Sequence, residues 1–131
     1  MVCLETTFLV DILRGNEKAK SILESIDNEN DIKAIATPSI MELISGAIAN
    51  PKIKGEKDKV INFINSFAIF DLNKESSILA GEIEAGLSQK GETIEPEDIM
   101  IAAICIKNKE TLVTRNKKHF EKIPDLKIMS Y

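Results

Sequence analysis

Short apolar segments alternate with longer segments of helical periodicity along this chain. The predicted strands are residues 1–4, 32–36, 68–72, 111–114 and, as a fifth, 127–129. Between them, apolar residues recur every three or four positions, which predicts amphipathic helices. This alternation is typical of an α/β fold with a largely parallel sheet. The chain has 131 residues, without a repeat or an interdomain linker, so we predict one domain over residues 1–131.

Capping signals predict where several helices begin and end. Thr37 is predicted as an N-cap followed by a proline at the first helical position, and Pro96 opens a later helix in the same way. Gly15 suits the end of the first helix. The predicted helices cover residues 6–13, about 16–26, 37–50, a segment within 60–67, 75–87 and about 96–108. Residues 52–59 are predicted to form a charged link.

The cysteines and the longest apolar run exclude several classes of protein. Cys3 and Cys105 both stand in apolar surroundings, which predicts core residues in a reduced, cytoplasmic protein. The longest apolar run, residues 99–106, has eight residues, far short of the ~20 that a membrane span needs. The first residues lack the basic start of a signal peptide. A disulfide scaffold, a zinc finger and a transmembrane protein are therefore not expected.

Charge is distributed unevenly between the two parts of the chain. Residues 1–106 hold 10 Lys and Arg against 18 Asp and Glu, a formal charge of −8, whereas residues 107–131 hold 7 against 3, or +4. The acidic total of −4 argues against a general charge-driven binder of nucleic acid. The basic part could still hold phosphates, or form a solvated turn, or receive an acidic partner. Its members after the fourth strand are Arg115, Lys117, Lys118 and Lys122.

Oxygen-bearing side chains stand where the predicted strands end. They are Glu5 and Thr6 after the first strand, Glu42 on the helix after the second, Thr114 and Asn116 at the fourth, and Asp98 early in the helix before the fourth. Because the carboxyl ends of parallel strands meet at one edge of a sheet, we expect these groups to converge. Such a cluster suits Mg²⁺ or Mn²⁺, and two such ions can promote phosphodiester hydrolysis.

Each of these acids also has a purely structural interpretation. Asp98 could bond back to the helix N-terminus and favour the helix dipole, and Glu42 could lie on a solvated helix face. Asn116 could be an ordinary turn residue. Glu5 is the most informative, because a charge between an apolar strand and an apolar helix is expensive to bury without a partner.

Two other polar residues are predicted to lie outside this cluster. Asp11 is predicted to be a solvent-facing helix residue. His119 is the only histidine and has no catalytic partner at a recognisable spacing, so it is predicted to face the surface or a bound nucleic acid. Phe120, beside it, is predicted to be a buried anchor rather than a platform for a base.

Three sequence blocks, in order, resemble the PIN-domain endoribonucleases of the VapC class, the toxin halves of type II toxin–antitoxin pairs. They are LETTFLVDILRG, TPSIMELISGA and IEPEDIMIAAICIKNKETLVTRNKKHFEKIPDLKI. The last block is the most specific, since its Asp, IAA, LVTRN and HF elements all have family-like spacing. The resemblance implies a PIN-like three-layer α/β/α fold around a central, mainly parallel sheet of four to five short strands.

The resemblance also implies a function and a role for each site residue. It implies hydrolysis of RNA phosphodiesters with Mg²⁺ or Mn²⁺, control by a cognate antitoxin protein, and a homodimer. The catalytic set would be Glu5, Glu42, Asp98 and Asn116, the first three of which would bind metal. The substrate-binding set would be Thr6, Thr114, Arg115, Lys117 and Lys118. The antitoxin would occupy an apolar groove between helices of the first half, and the helices after Gly15 and Lys59 are candidate dimer surfaces.

The chain departs from the family at its first acid, which is normally Asp and here is Glu5. The extra methylene moves the carboxylate by ~1.5 Å, whereas Mg²⁺ requires oxygen ligands at ~2.0–2.1 Å. A misplacement of ~1 Å can lower a rate ~100-fold. One alternative is therefore a weakly active or inactive PIN-fold module that binds RNA or an antitoxin. Another is a ribosomal-RNA processing nuclease of the same fold.

Overall fold

A five-stranded sheet forms the centre of the computed structural model, which describes residues 1–54 and 56–131. The strands are β1 (Val2–Leu4), β2 (Lys33–Ala36), β3 (Ala68–Phe70), β4 (Thr111–Thr114) and β5 (Ile128–Ser130). Their order across the sheet is β3-β2-β1-β4-β5, and all four neighbouring pairs run parallel. The predicted parallel sheet is confirmed, and β1 lies at its centre.

Helices connect the strands and lie on both faces of the sheet. They are α1 (Thr6–Leu13), α2 (Glu17–Asn28), α3 (Thr37–Ala49), α4 (Pro51–Lys54), α5 (Lys57–Ile64), α6 (Lys74–Gln89), α7 (Pro96–Lys107) and α8 (Lys117–Phe120). None of the helices within residues 1–54 and 56–131 is long and apolar enough to cross a membrane.

The strand residues alternate between two hydrophobic cores, one on each face of the sheet. Leu4 and Val113 pack with α1, α2, α3 and α5, whereas Cys3 and Leu112 pack with α6 and α7. This alternation follows from the two-residue period of a strand. Phe120 is fully buried in the α6 and α7 core, as predicted for an anchor. The three-layer α/β/α prediction is therefore confirmed.

The start of α3 and the predicted link after it differ from the sequence predictions. Thr37 is the first residue of α3 rather than its N-cap, a position that Ala36 takes. The Thr37 hydroxyl instead accepts a hydrogen bond of 3.1 Å from the Leu72 backbone N–H, which ties α3 to the exit of β3. The predicted link 52–59 instead contains residues 52–54 of α4 and the start of α5, while Gly55 within it lies outside the described residues.

Candidate active site

Most of the predicted site residues line a single cleft at the carboxyl edge of the sheet. Its volume is about 320 Å³, and its lining consists of Glu5, Thr6, Thr7, Val10, Arg14, Glu42, Asp98, Arg115 and Asn116. All four predicted catalytic residues are in this set. The edge forms because β1, β2 and β4 are neighbours, so the segments that follow or precede them meet.

Glu5 enters the cleft as the N-cap of α1. Its side chain is 2% exposed, and its Oε2 atom accepts hydrogen bonds from the Thr7 backbone N–H at 2.9 Å, the Thr7 hydroxyl at 2.5 Å and the Thr114 hydroxyl at 2.8 Å. Burial raises the pKa of Glu5, and the bonds from Thr7 and Thr114 oppose that rise. Within the part of the chain that the structure describes, all donors to Glu5 reach Oε2, and no buried side-chain oxygen lacks a partner. Glu5 lines the cleft, and Oε1 is the oxygen that these donors leave for a ligand there.

Glu42 reaches the cleft from α3 and is held by Thr6. The Thr6 hydroxyl donates to Glu42 Oε1 at 2.8 Å and lies 3.0 Å from the hydroxyl of Ser39, which is fully buried. Glu42 is half-buried, so it does not lie on a freely solvated helix face. Thr6 thus links the start of α1 to the first turns of α3 at the point where both approach the cleft.

Asp98 lies in the first turn of α7 and faces His119 rather than the helix terminus. Glu95 is the N-cap of α7, and no side-chain capping bond is present at that end. Asp98 Oδ2 lies 2.9 Å from His119 Nδ1, so the lone histidine has an acidic partner that sequence spacing did not indicate. Burial raises the pKa of Asp98, the His119 contact opposes that rise, and the charge of Glu42 adds to it.

The donor set of the cleft suits a divalent cation. Asp98 also raises the pKa of Glu5, so the three carboxylates form one network of mutual repulsion. Among the described residues, no three His, Cys, Asp or Glu side chains are close enough to hold one ion together. A cation here would therefore take one or two carboxylates and complete its shell with water and substrate oxygens. Mg²⁺ is bound in proteins in this way, so the residues fit it.

The residues after β4 divide between the cleft and the surface. Asn116 is half-buried at the cleft, where its backbone N–H donates to the Thr114 hydroxyl at 2.9 Å. Arg115 also lines the cleft. Lys117 and Lys118 are exposed on α8 outside the cleft lining, and Lys122 borders a different groove along α6. The basic segment is therefore only partly at the site.

The sequence analysis assigned no role in the site to three residues of this region. Thr7 holds Glu5, and its position two residues after an N-cap is a local signal that could have indicated this. Arg14 lines the cleft one helical turn beyond Val10. The prediction that Asp11 faces solvent is wrong, since it is 2% exposed and accepts bonds from Arg115 and Tyr131.

Replacing Thr114 by valine is expected to destabilise the protein by about 1–3 kcal/mol, because Glu5 and the Asn116 N–H would both lose a buried partner at constant side-chain volume. Urea denaturation followed by circular dichroism measures this change. Thr111→Val at the other end of β4 is the matched control and should cost much less. Equal losses for the two variants would contradict a special role for Thr114.

Comparison with known proteins places this geometry in a family. Residues 2–126 match the PIN domain. The chain is 34% identical to Ribonuclease VapC2 of Rickettsia felis over 104 residues, and the matched stretch covers 79% of this chain and 77% of the relative. It is 31% identical over 111 residues to the tRNA(fMet)-specific endonuclease VapC of Salmonella typhimurium, with coverages of 85% and 84%.

A solved structure agrees with these relatives. The crystal structure of VapBC2 from Rickettsia felis, bound to a DNA fragment from its promoter, superposes with a TM-score of 0.88 at 28% identity and covers 100% of this chain and 99% of that chain. The superposition therefore extends over the whole length of this chain. The chain therefore belongs to the PIN domain family and, within it, to the VapC class.

Proposed function

We propose that this protein is a metal-dependent endoribonuclease and the toxin of a type II toxin–antitoxin pair. The observation that carries the proposal is the convergence of Glu5, Glu42 and Asp98 on one cleft in a chain similar to VapC ribonucleases. Each carboxylate comes from a different element, so the fold, rather than local sequence, assembles the cluster. The whole chain would act as one domain in the cytoplasm.

Each residue of the cleft has a proposed role. Glu5 and Asp98 would hold Mg²⁺ or Mn²⁺, with Glu42 as the third acid. The metal would supply Lewis-acid activation of water and neutralise charge on the scissile phosphate. Asn116 would orient the reacting phosphate through its amide. The positively charged guanidinium of Arg115 would hold a neighbouring phosphate of the RNA backbone and so position the substrate.

The proposed partner is a cognate antitoxin protein. Met41 and Ile48 on α3 are large apolar side chains that are 57% and 66% exposed. They lie in the first half of the chain, where we expect the antitoxin groove. The VapBC2 structure that resembles this chain supports a partner of this kind. The homodimer is part of the same proposal, and Ile61 is a candidate for its surface.

The purified protein should cleave RNA in Mg²⁺ or Mn²⁺ and stop when EDTA removes the metal. Gel analysis of a transfer RNA pool and of a messenger RNA, with and without each metal, measures this directly. Restoring Mg²⁺ to the EDTA-treated sample should restore cleavage, which controls for loss of fold. Equal cleavage with and without EDTA would contradict a metal-dependent mechanism.

The binding-module alternative rests on Glu5. The observation in its favour is that Glu5 Oε2 is already engaged by Thr7 and Thr114, as in an ordinary helix cap. Such a module would bind RNA but turn it over slowly in any metal. Substitution of Glu5 separates the two proposals.

A further inference from the structure

Arg115 donates two hydrogen bonds to residues of α1. Its backbone N–H donates to the Thr7 hydroxyl at 3.2 Å, and its guanidinium donates to Asp11 Oδ1 at 3.1 Å. Thr7 and Asp11 are four residues apart and therefore share one face of the helix. The segment that leaves β4 is thus held against α1 through both its backbone and its side chain.

Asp11 is itself held in place by Tyr131. The Tyr131 hydroxyl donates to Asp11 Oδ2 at 2.6 Å, so each carboxylate oxygen has its own donor. The ring of Tyr131 packs edge-to-face on Phe8, with centroids 5.4 Å apart, which fixes where its hydroxyl stands. Burial and the bond to Asp11 raise the pKa of Tyr131, so the hydroxyl keeps its proton. The buried carboxylate therefore has a single well-defined orientation.

The two ends of this ion pair differ in exposure. The Asp11 side chain is 3% exposed, whereas that of Arg115 is 51% exposed and borders the cleft. A guanidinium carries five N–H donors in a planar fork, and the bond to Asp11 uses only one of them. Because the Arg115 side chain is half-exposed and Arg115 lines the same cleft as Glu5 and Asn116, the remaining donors are available to a phosphate bound there. Such a fork suits phosphate recognition, particularly when its orientation is fixed in advance.

We propose that Asp11, oriented by Tyr131, is a positioning residue that holds the Arg115 guanidinium ready for a phosphate of the RNA substrate. This inference rests on the proposed ribonuclease function. In this role the Asp11 carboxylate assists the binding of RNA, whereas its negative charge by itself would repel the RNA phosphates. Loss of the Asp11 charge alone would strengthen RNA binding by reducing repulsion. Weaker RNA binding after removal of the Asp11 charge would therefore indicate a positioning role, and stronger binding would indicate charge repulsion alone.

Steady-state cleavage of a fluorophore-labelled RNA hairpin in Mg²⁺ tests the inference. Arg115→Ala should raise KM about tenfold with kcat nearly unchanged, since one charge-assisted contact to a flanking phosphate is lost. Asp11→Asn should also raise KM, and the double variant should behave like Arg115→Ala alone. Asp71→Asn, an exposed position between β3 and α6, is the matched control and should keep the parental KM.

Tyr131→Phe provides a second test if Asp11→Asn does not fold. It removes the hydroxyl that donates to Asp11 and keeps the ring on Phe8, so it should raise KM about threefold. The melting temperature should fall by a few degrees, because the buried Asp11 carboxylate loses one of its two donors, but the protein should remain folded at the assay temperature. A KM that is lowered or unchanged in Asp11→Asn or Tyr131→Phe would overturn the inference. It would also be overturned if Asp11→Asn raised KM by the same factor in the Arg115→Ala background as in the parent protein.

A binding measurement separates failure of this inference from failure of the proposed function. Fluorescence anisotropy of the same hairpin in EDTA reports RNA affinity without turnover, and Asp11→Asn should weaken it as it raises KM. A parent protein that neither cleaves nor binds RNA would contradict the ribonuclease proposal and the inference with it. A parent protein that cleaves RNA, with Asp11→Asn binding as tightly as the parent, would contradict only the positioning role.

Discussion

Replacement of Asp98 by asparagine is expected to lower RNA cleavage about a thousandfold. Asp98 is one of the two carboxylates proposed to hold the metal, and loss of a stabilising contact worth several kcal/mol in the transition state gives a rate loss of this size. The asparagine amide keeps the volume of the side chain and can remain bonded to His119. The loss should therefore appear in kcat, measured by single-turnover cleavage at saturating Mg²⁺.

The same substitution should stabilise the protein in the absence of metal. Burial and the charge of Glu42 raise the pKa of Asp98, which means that the folded state disfavours its ionised form. At a pH above that pKa the ionised carboxylate costs stability, and a neutral amide removes this cost. We expect the melting temperature in EDTA to rise in Asp98→Asn. This combination of higher stability and lost activity is typical of a residue that serves function rather than fold.

Glu97→Gln is the matched control for Asp98→Asn. Glu97 lies in the same first turn of α7 and interacts with the same helix dipole, but it does not line the cleft. It should leave cleavage nearly unchanged and slightly lower the melting temperature. Cleavage by Asp98→Asn at the parental rate would contradict the proposed mechanism.

The elements of the fold were predictable because their patterns are local. The apolar runs at the strands, the three-to-four-residue periodicity of α1 and α6 and the long apolar run of α7 each lie within a short stretch of the sequence. The start of α3 was predicted less well, since Thr37 bonds to Leu72, 35 residues away, instead of to its own helix. A tertiary contact of this kind leaves no trace in local spacing.

The same distinction applies to the candidate site. Glu5, Glu42 and Asp98 were predictable because each follows or begins an element whose end lies at one edge of a parallel sheet. The bonds of Asp11 to Arg115 and Tyr131 join residues 104 and 120 positions apart, so the helical pattern around Asp11 indicated only an exposed polar residue. Lys117 and Lys118 were predicted to lie at the cleft because they follow Arg115 closely in the sequence. The turn of α8 instead carries them outside the cleft.

Glu5→Gln is expected to lower RNA cleavage about a hundredfold while the fold is retained. The glutamine carbonyl can still accept the bonds that Thr7 and Thr114 now donate to Oε2, so the cap of α1 survives. The amide nitrogen would replace Oε1 at the cleft, and an NH₂ group cannot ligate a cation. Single-turnover cleavage and a thermal melt measure the two effects. Glu56→Gln, at the exposed N-cap of α5, is the control and should change neither.

Glu5→Asp separates a working nuclease from a degenerate binding module. If the site were a damaged aspartate site, restoring Asp would raise cleavage strongly. In this structure the hydroxyls of Thr7 and Thr114 donate to the carboxylate at the distance that a glutamate reaches. An aspartate side chain is shorter by ~1.5 Å. It cannot accept both of these hydrogen bonds and also present an oxygen to the cleft. We therefore expect Glu5→Asp to cleave about tenfold more slowly than the parent, in line with the cost of a displaced ligand. A large gain in cleavage would instead favour the binding module, because it would show that the longer side chain holds the metal in the wrong place.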